Sequence, residues 1–208
     1  MSRVSSHWLA APELLGFTLR LSPLTHDDAA DFLAALGDDA EAAEVLEHLT
    51  FAPPRDVDAV QVVIQQALDT PDRIAYAQRL RSTAEFVGCT SFYEIDPTLR
   101  ALGIGHTWLA RPYWRTGVNT ESKLIMLARA FDELGAERVV WHTDIRNVRS
   151  QTAIERLGAT KEGVLRHHRI RPDGSWRDTV QYSMLSAEWP AARARLQARS
   201  RRAGSVPA

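Results

Sequence analysis

The sequence predicts a mixed α/β domain built around a mostly antiparallel sheet of about seven strands. Three observations carry this. Ile74 to Leu80, Phe86 to Glu94 and Leu102 to Leu109 are strand-like runs joined by short turn-like separators, Arg81 to Glu85 and Asp96 to Arg100, as in an antiparallel meander. From Leu102 to Leu157 the pattern alternates strand, helix, strand, helix, which requires a parallel crossover. Finally, Thr160 to Ile170 and Thr179 to Leu185 flank Pro172-Asp173-Gly174, a strong turn signal, and form a closing antiparallel pair.

Taken in order, Phe17 to Leu21 alternates apolar and polar residues and reads as a strand, broken by Ser22-Pro23. Thr25 to Leu36 has helical spacing through Ala29, Phe32, Leu33 and Leu36. Glu41 to Leu49 is a second helix, closed off by Pro53-Pro54, and Val57 to Leu68 a third, with Pro71 beyond its end. After the meander, Leu124, Leu127, Ala128, Phe131 and Leu134 recur at spacings of three and four, marking a helix from Val118 to Gly135 with one buried stripe. Arg138 to Thr143 is a strand rich in Val and Trp. Asn147 to Leu157 is a helix with Asn147 as N-cap and Gly158 just past its end. Glu188 to Ala198 reads as a terminal helix and Arg199 to Ala208 as a frayed tail. The division expected is one domain over residues 12–189, then a helix end and flexible Arg-rich tail over 190–208.

Composition excludes several function classes. Lys plus Arg number 25 against 26 Asp plus Glu, so no basic excess draws nucleic acid. Cys89 is the one cysteine and cannot close an internal disulfide, and no His/Cys cluster has zinc spacing, so no metal is expected. Met1 to Pro12 lacks the apolar core of a secretion signal, and no apolar run approaches about 18 residues. A cytoplasmic protein, with neither membrane nor nucleic acid as partner, is expected.

The stretch with most chemical content is Arg111-Pro112-Tyr113-Trp114-Arg115-Thr116-Gly117-Val118-Asn119-Thr120-Glu121, a turn-rich loop leading into the amphipathic helix. A helix N-terminus exposes backbone N–H groups without intrahelical partners and carries about half a positive charge, so it suits an anion. Gly117 lets backbone approach a pyrophosphate, and Arg115 can add a charge-assisted contact. No Walker loop and no Gly-x-Gly-x-x-Gly follows a strand. His167-His168 cannot converge on one metal, because adjacent strand residues point to opposite faces. Cys89 reads as a small buried hydrophobe. Trp108, Tyr113, Trp114 and Trp141 either line an acceptor groove or, more commonly for such aromatics, fill the core.

These residues resemble the GNAT superfamily of N-acetyltransferases. The family signature, Gln/Arg-x-x-Gly-x-Gly/Ala at the head of the helix after the fourth strand, falls on Trp114-Arg115-Thr116-Gly117-Val118-Asn119, with Trp114 and Asn119 departing from it. Asn147-x-x-Ser150 with Ile154-Glu155-Arg156-Leu157-Gly158-Ala159 is similar to the family's Asn-x-x-Ala/Ser helix ending in Leu-Gly-Phe. Glu162-Gly163 and Arg177 to Ser183 extend the match to the branch of ribosomal-protein alanine and serine N-acetyltransferases, over roughly Phe17 to Trp189.

The resemblance implies a GNAT-type sheet with a splayed parallel pair and flanking helices, acetyl-coenzyme A as co-substrate and a primary amine as acceptor. The backbone of Thr107, Trp108 and Leu109 would pair with pantetheine in a gap beside Arg138 to Thr143. Arg115, Thr116, Gly117, Val118 and Asn119 would supply pyrophosphate amides, and Asn147 would bond the coenzyme arm. Many relatives protonate the departing thiolate with a Tyr at the position of Ile154; here Ser150, or an ordered water, is the nearest candidate. Glu94, His106 and Asp144, on or at the ends of strands bordering the cleft, are candidates for accepting the amine's proton. The acceptor is expected to be a protein or peptide N-terminal α-amine, which needs less deprotonation than a lysine. The alternatives are a small amine (polyamine, aminoglycoside or amino acid) and a catalytically silent acyl-coenzyme A binding module. The loops Glu41 to Asp56 and Arg169 to Arg177 would shape the acceptor side, and relatives in the branch imply a possible homodimer.

Overall fold

A computed structural model of the chain describes residues 7–203, with side chains through residue 200. Eight strands form one sheet in the order β1-β2-β3-β4-β5-β6-β8-β7. They are β1 (Leu14–Leu15), β2 (Leu19–Pro23), β3 (Ile74–Leu80), β4 (Phe86–Asp96), β5 (Ala101–Leu109), β6 (Arg138–Asp144), β7 (Thr160–Ile170) and β8 (Trp176–Leu185). All neighbours pair antiparallel except β5 and β6, which are parallel. The expected mixed α/β architecture is present, with one strand more than the seven read from periodicity. The addition, β1, is two residues long, too short to show a period. Within the closing hairpin β8 takes the inner place against β6, because Val180, Tyr182 and Met184 are fully buried while most of β7 is exposed.

The helices are α1 (Ala29–Ala35), α2 (Asp39–Leu46), α3 (Val57–Asp69), α4 (Val118–Ala128), α5 (Val148–Leu157) and α6 (Trp189–Ala203). Asp38 caps α2 by accepting from Ala40 and Glu41 N–H groups, and Asp56 caps α3 by accepting from Ala59 N–H at 2.8 Å. Helix α4 continues through a π-helical turn at Arg129–Glu133, and α5 stops at Gly158, whose left-handed φ of 98° turns the chain into β7. Helix α6 runs past Ala198 to Ala203, so the first residues of the expected frayed tail are helical; buried Ala192 and Leu196 dock this helix on the core. The remainder of that tail, 204–208, lies outside the described residues.

The two faces of the sheet have separate cores. On one, α4, α5 and α6 bury Met126, Leu127, Ala130, Ile154, Leu157, Trp189 and Leu196 against Tyr76, Phe92, Trp141 and Tyr182; each fully buried large side chain contributes on the order of 2 kcal/mol. On the other, α1, α2 and α3 pack Phe32, Val45, Val60 and Ile64 against Ala75, Ala77, Phe86, Cys89 and Trp108. That second core includes no residue of β6, β7 or β8. The corresponding face of those strands carries polar side chains. There Glu162 accepts from Arg138, Gln181 and Ser183, and Gln181 meets His142.

Candidate active site

Strands β5 and β6 pair only at Ala101↔Arg138, Leu102↔Val139 and Gly103↔Val140. Beyond these, β5 stays paired with β4 as far as Gly88↔Leu109, while β6 stays paired with β8 as far as Asp144↔Thr179. The parallel pair therefore splays, and the facing backbone edges of Ile104 to Leu109 and Trp141 to Asp144 have no strand between them. A bound chain with amides of its own could occupy that gap as a strand would. Of the residues expected to face it, Thr107 is half-buried and Trp108 is buried against Phe32, with ring centroids 4.7 Å apart. The Leu109 carbonyl already accepts from Trp114 Nε1 at 2.8 Å.

The head of α4 lies at the mouth of this gap. Gly117 is its N-cap residue with no side chain capping it, and Thr116 Oγ1 accepts from Val118 N–H at 3.3 Å while donating to the Tyr113 carbonyl at 2.7 Å. Arg115 is exposed and holds a left-handed φ of 61°, which turns the chain just ahead of α4. Farther along the helix, buried Glu121 accepts from Thr18 and Leu19 N–H groups and from the Thr18 hydroxyl, which pins β2 to the first turn of α4. Across the mouth, Arg149 of α5 lies over the Trp114 ring, 3.9 Å from its centroid. Trp114, read from the sequence as a departure from the signature, thus links the α4 loop to α5.

At the start of α5, Asn147 Oδ1 accepts from Ser150 N–H at 2.8 Å, a capping bond that leaves its NH2 as the free donor. Ser150 sits half-buried in the first turn. Ile154, one turn on, is buried in the core. Asp144, at the end of β6, is tightly ion-paired: Arg171 donates to both its oxygens at 2.7 and 2.9 Å, and Arg146 N–H adds a third bond. Burial alone would raise this carboxyl, but these bonds outweigh it and hold it below its usual range.

The face opposite α4 collects groups from five strands. Three bulges there carry left-handed residues, Glu94 (φ 49°) in β4, His106 (φ 49°) in β5 and His167 (φ 50°) in β7. Each re-aims the side chains beside it. The Tyr93 ring lies across β5 where Gly103 and Gly105 leave room for it, and its hydroxyl meets His142 Nδ1 at 3.1 Å. His142 Nε2 in turn meets Gln181 Oε1 at 3.1 Å. Glu94 is half exposed, 3.9 Å from His142 and 3.8 Å from Arg169. His106 stands edge-on to Tyr93, and burial, with Arg73, Arg169 and Arg177 nearby, pushes its pKa down to about 3. It is a neutral imidazole at physiological pH. His167 stacks on Trp176 while His168 faces His142, so the adjacent histidines go to separate neighbours.

Residues 18–160 match the model of the acetyltransferase (GNAT) domain. The chain belongs to the GNAT acetyltransferase family. YdaF of Bacillus subtilis, provisionally named a ribosomal N-acetyltransferase, is 31% identical over 102 residues, which cover 49% of this chain and 55% of YdaF, about half the length of each. A provisionally assigned acetyltransferase from T. thermophilus is 40% identical, with a TM-score of 0.82 covering 91% of this chain and 98% of that one. A GCN5-related N-acetyltransferase from Brucella melitensis is 26% identical, with a TM-score of 0.87 over 92% of this chain and 86% of that one.

In this GNAT chain some site groups escaped sequence reasoning. Tyr93 and His142 are 49 positions apart and meet only because Gly103 and Gly105 admit a ring between them. Lys123, on α4, is buried with no carboxylate paired to it among the described residues, donating to Thr107 Oγ1 at 2.6 Å and Thr90 Oγ1 at 3.0 Å. Burial pushes its pKa down to about 7. Cys89 is buried too, and burial drives its thiol far up, which suits packing and not nucleophilic attack. Trp108 and Trp141 belong to the cores.

Proposed function

We propose that this acetyltransferase moves the acetyl group of acetyl-coenzyme A to a primary amine, a peptide or protein N-terminal α-amine. The observation that carries the reading is the splay of β5 from β6, open to the uncapped head of α4 at one end and to the polar face of Tyr93, Glu94 and His142 at the other. When bound, the coenzyme supplies an activated acyl thioester. Arg115, Thr116, Gly117, Val118 and Asn119 hold its pyrophosphate with backbone N–H groups and one guanidinium. The backbone of Thr107 and Trp108, with the remaining donor of Asn147, aligns the pantetheine arm; Leu109 adds its N–H, since Trp114 occupies its carbonyl.

Ser150 delivers the proton that the departing sulfur needs. On the acceptor side the amine must arrive neutral, and Glu94, backed by His142, takes its proton through water. Asp144 serves by fixing Arg171. An α-amine with a pKa near 8 is already partly neutral at pH 7 to 8, so this modest base suffices, whereas a lysine near 10.4 costs about 3 kcal/mol more to deprotonate. The provisional name of YdaF, ribosomal N-acetyltransferase, supports a protein as acceptor. The protein is read as cytoplasmic, and as a homodimer by its branch resemblance.

The test is acetyl-coenzyme A dependent modification of peptides beginning with Ala or Ser, followed by mass spectrometry. Blocking the N-terminus while leaving an internal Lys free should abolish the reaction. Strong modification of blocked peptides, or preference for a polyamine over every peptide, would overturn the assignment of the acceptor.

A further inference from the structure

Lys123 is a buried cation to which, among the described residues, no carboxylate is paired. A lysine is almost never fully buried without such a partner, because taking its ammonium out of water costs stability. An uncharged side chain of similar length would fill the same space at less cost. What the ammonium adds is a pair of hydrogen bonds from the second turn of α4 to the sheet, to Thr107 Oγ1 at 2.6 Å and to Thr90 Oγ1 at 3.0 Å.

Those two threonines stand on opposite sides of a bulge. Between the pairs Ser91↔Gly105 and Cys89↔Trp108, β4 has one residue, Thr90, and β5 has two, His106 and Thr107. His106 holds the left-handed φ of 49°, which a residue with a side chain keeps only where its surroundings fix it. Thr107 Oγ1 donates to the Gly105 carbonyl at 3.3 Å, closing the chain around His106, and meets Thr90 Oγ1 at 2.8 Å across the two strands. The hydroxyls thus hold the bulge together. Lys123 ties it to α4, where Thr90 also meets Met126 Sδ at 3.2 Å. Both ends of this tie border the splay. The bulge lies past Gly103↔Val140, the last pair of β5 with β6, and the head of α4 at Gly117 and Val118 is only about a turn and a half before Lys123.

We infer that Lys123 is a positioning residue: by holding the β5 bulge at a fixed place on α4, it sets the span between the helix head that grips the pyrophosphate and the backbone of His106 and Thr107 that meets the thioester. This rests on the acetyl-transfer reading above and adds a residue to it. Lys123 touches neither the amine nor the sulfur and acts through Thr107. With the tie cut, a co-substrate anchored at its pyrophosphate still binds, but its acyl group is no longer held where the amine attacks. Misplacement by about 1 Å is enough to slow a reaction strongly.

Lys123→Met removes the tie and keeps the length. Its affinity for coenzyme A, by calorimetry, should stay within about threefold of wild type, while kcat with acetyl-coenzyme A and the best wild-type acceptor should fall at least about tenfold. Denaturation at pH 6 should find the variant no less stable, so the lost turnover cannot be lost structure. Thr107→Val removes the partner of the 2.6 Å bond and should lose about as much, whereas Thr107→Ser should keep kcat within about threefold. The double variant Lys123→Met/Thr107→Val should be no more than about threefold slower than the worse single one. A wild-type kcat in folded Lys123→Met, a coenzyme affinity that falls in step with kcat, or losses that multiply in the double variant overturns the inference and leaves amine acetylation intact. Should Lys123→Met not fold, the Thr107 pair decides, and equal turnover in the Val and Ser variants overturns it. Wild-type protein that binds acetyl-coenzyme A and acetylates no amine overturns the parent reading, and the inference with it.

Discussion

The Tyr93 hydroxyl sits 3.1 Å from His142 Nδ1, joining a β4 residue to a β6 residue across β5. The contact depends on two missing side chains. A methyl at Gly103 would collide with the Tyr93 ring, and one at Gly105 would come within 2.8 Å of it. Gly103→Ala should therefore displace Tyr93, destabilise the fold by about 1–3 kcal/mol and weaken acceptor use more than coenzyme binding. Chemical denaturation of a double-mutant cycle with Tyr93→Ala checks the cause. If the two losses simply add, the ring is not what Gly103 accommodates.

Gly117→Glu places bulk and negative charge at the uncapped head of α4. Calorimetry should show acetyl-coenzyme A binding at least tenfold weaker, a loss of about 1.4 kcal/mol or more. Unchanged affinity in a folded variant would put the pyrophosphate somewhere else.

Ser150→Ala should lower kcat by roughly 100-fold, the usual scale for a lost general acid, with coenzyme affinity nearly constant. The Asn147 cap should survive, because Asn147 bonds the backbone N–H of residue 150 and not its hydroxyl. Turnover within a factor of about three of wild type would transfer the role to a positioned water.

Lys123 makes stability depend on pH. Its ammonium titrates near 10.5 when free and near 7 in the fold, because burial disfavours the charge. Between those values the unfolded chain binds more protons, so stability rises with pH; below about 7 both states are charged and the fold carries the whole cost. Lys123→Met keeps the length and drops the charge, and Thr90 and Thr107 still bond each other at 2.8 Å. The variant should be more stable than wild type at pH 6, by on the order of a few kcal/mol, with the gap narrowing towards pH 10. A gap of constant size across that range would show that Lys123 is already neutralised by something else.

Much of the architecture was legible because periodicity reports burial. The stripe through Leu124, Leu127 and Phe131 marks α4, whose Leu127 is fully buried, and the segments from Ile74 onward mark the meander. Single-residue bulges are harder to see. At Glu94 and His106 one extra residue shifts the alternation without changing the polarity of the segment, so sequence shows a strand but not where its side chains point. The placement of β8 inside β7 was likewise hidden, since a turn signal pairs two strands without saying which meets the rest of the sheet. At the site, the loop from Trp114 to Asn119 was readable because Gly117 and a helix start are local signals. The Tyr93–His142 contact was not, because the two residues are far apart in the chain and meet only where Gly103 and Gly105 leave room for the ring.

The splay has a mechanical consequence. Among the described residues the backbone ladder between β5 and β6 has three residue pairs, so along that line, between β1 through β5 and the trio of β6, β8 and β7, the sheet is a seam. A strand-like occupant running down it would be a thread as much as a reactant, joining backbone on both sides and resisting shear between the halves. Loading the co-substrate and stiffening the body that must grip the acceptor would then be the same event.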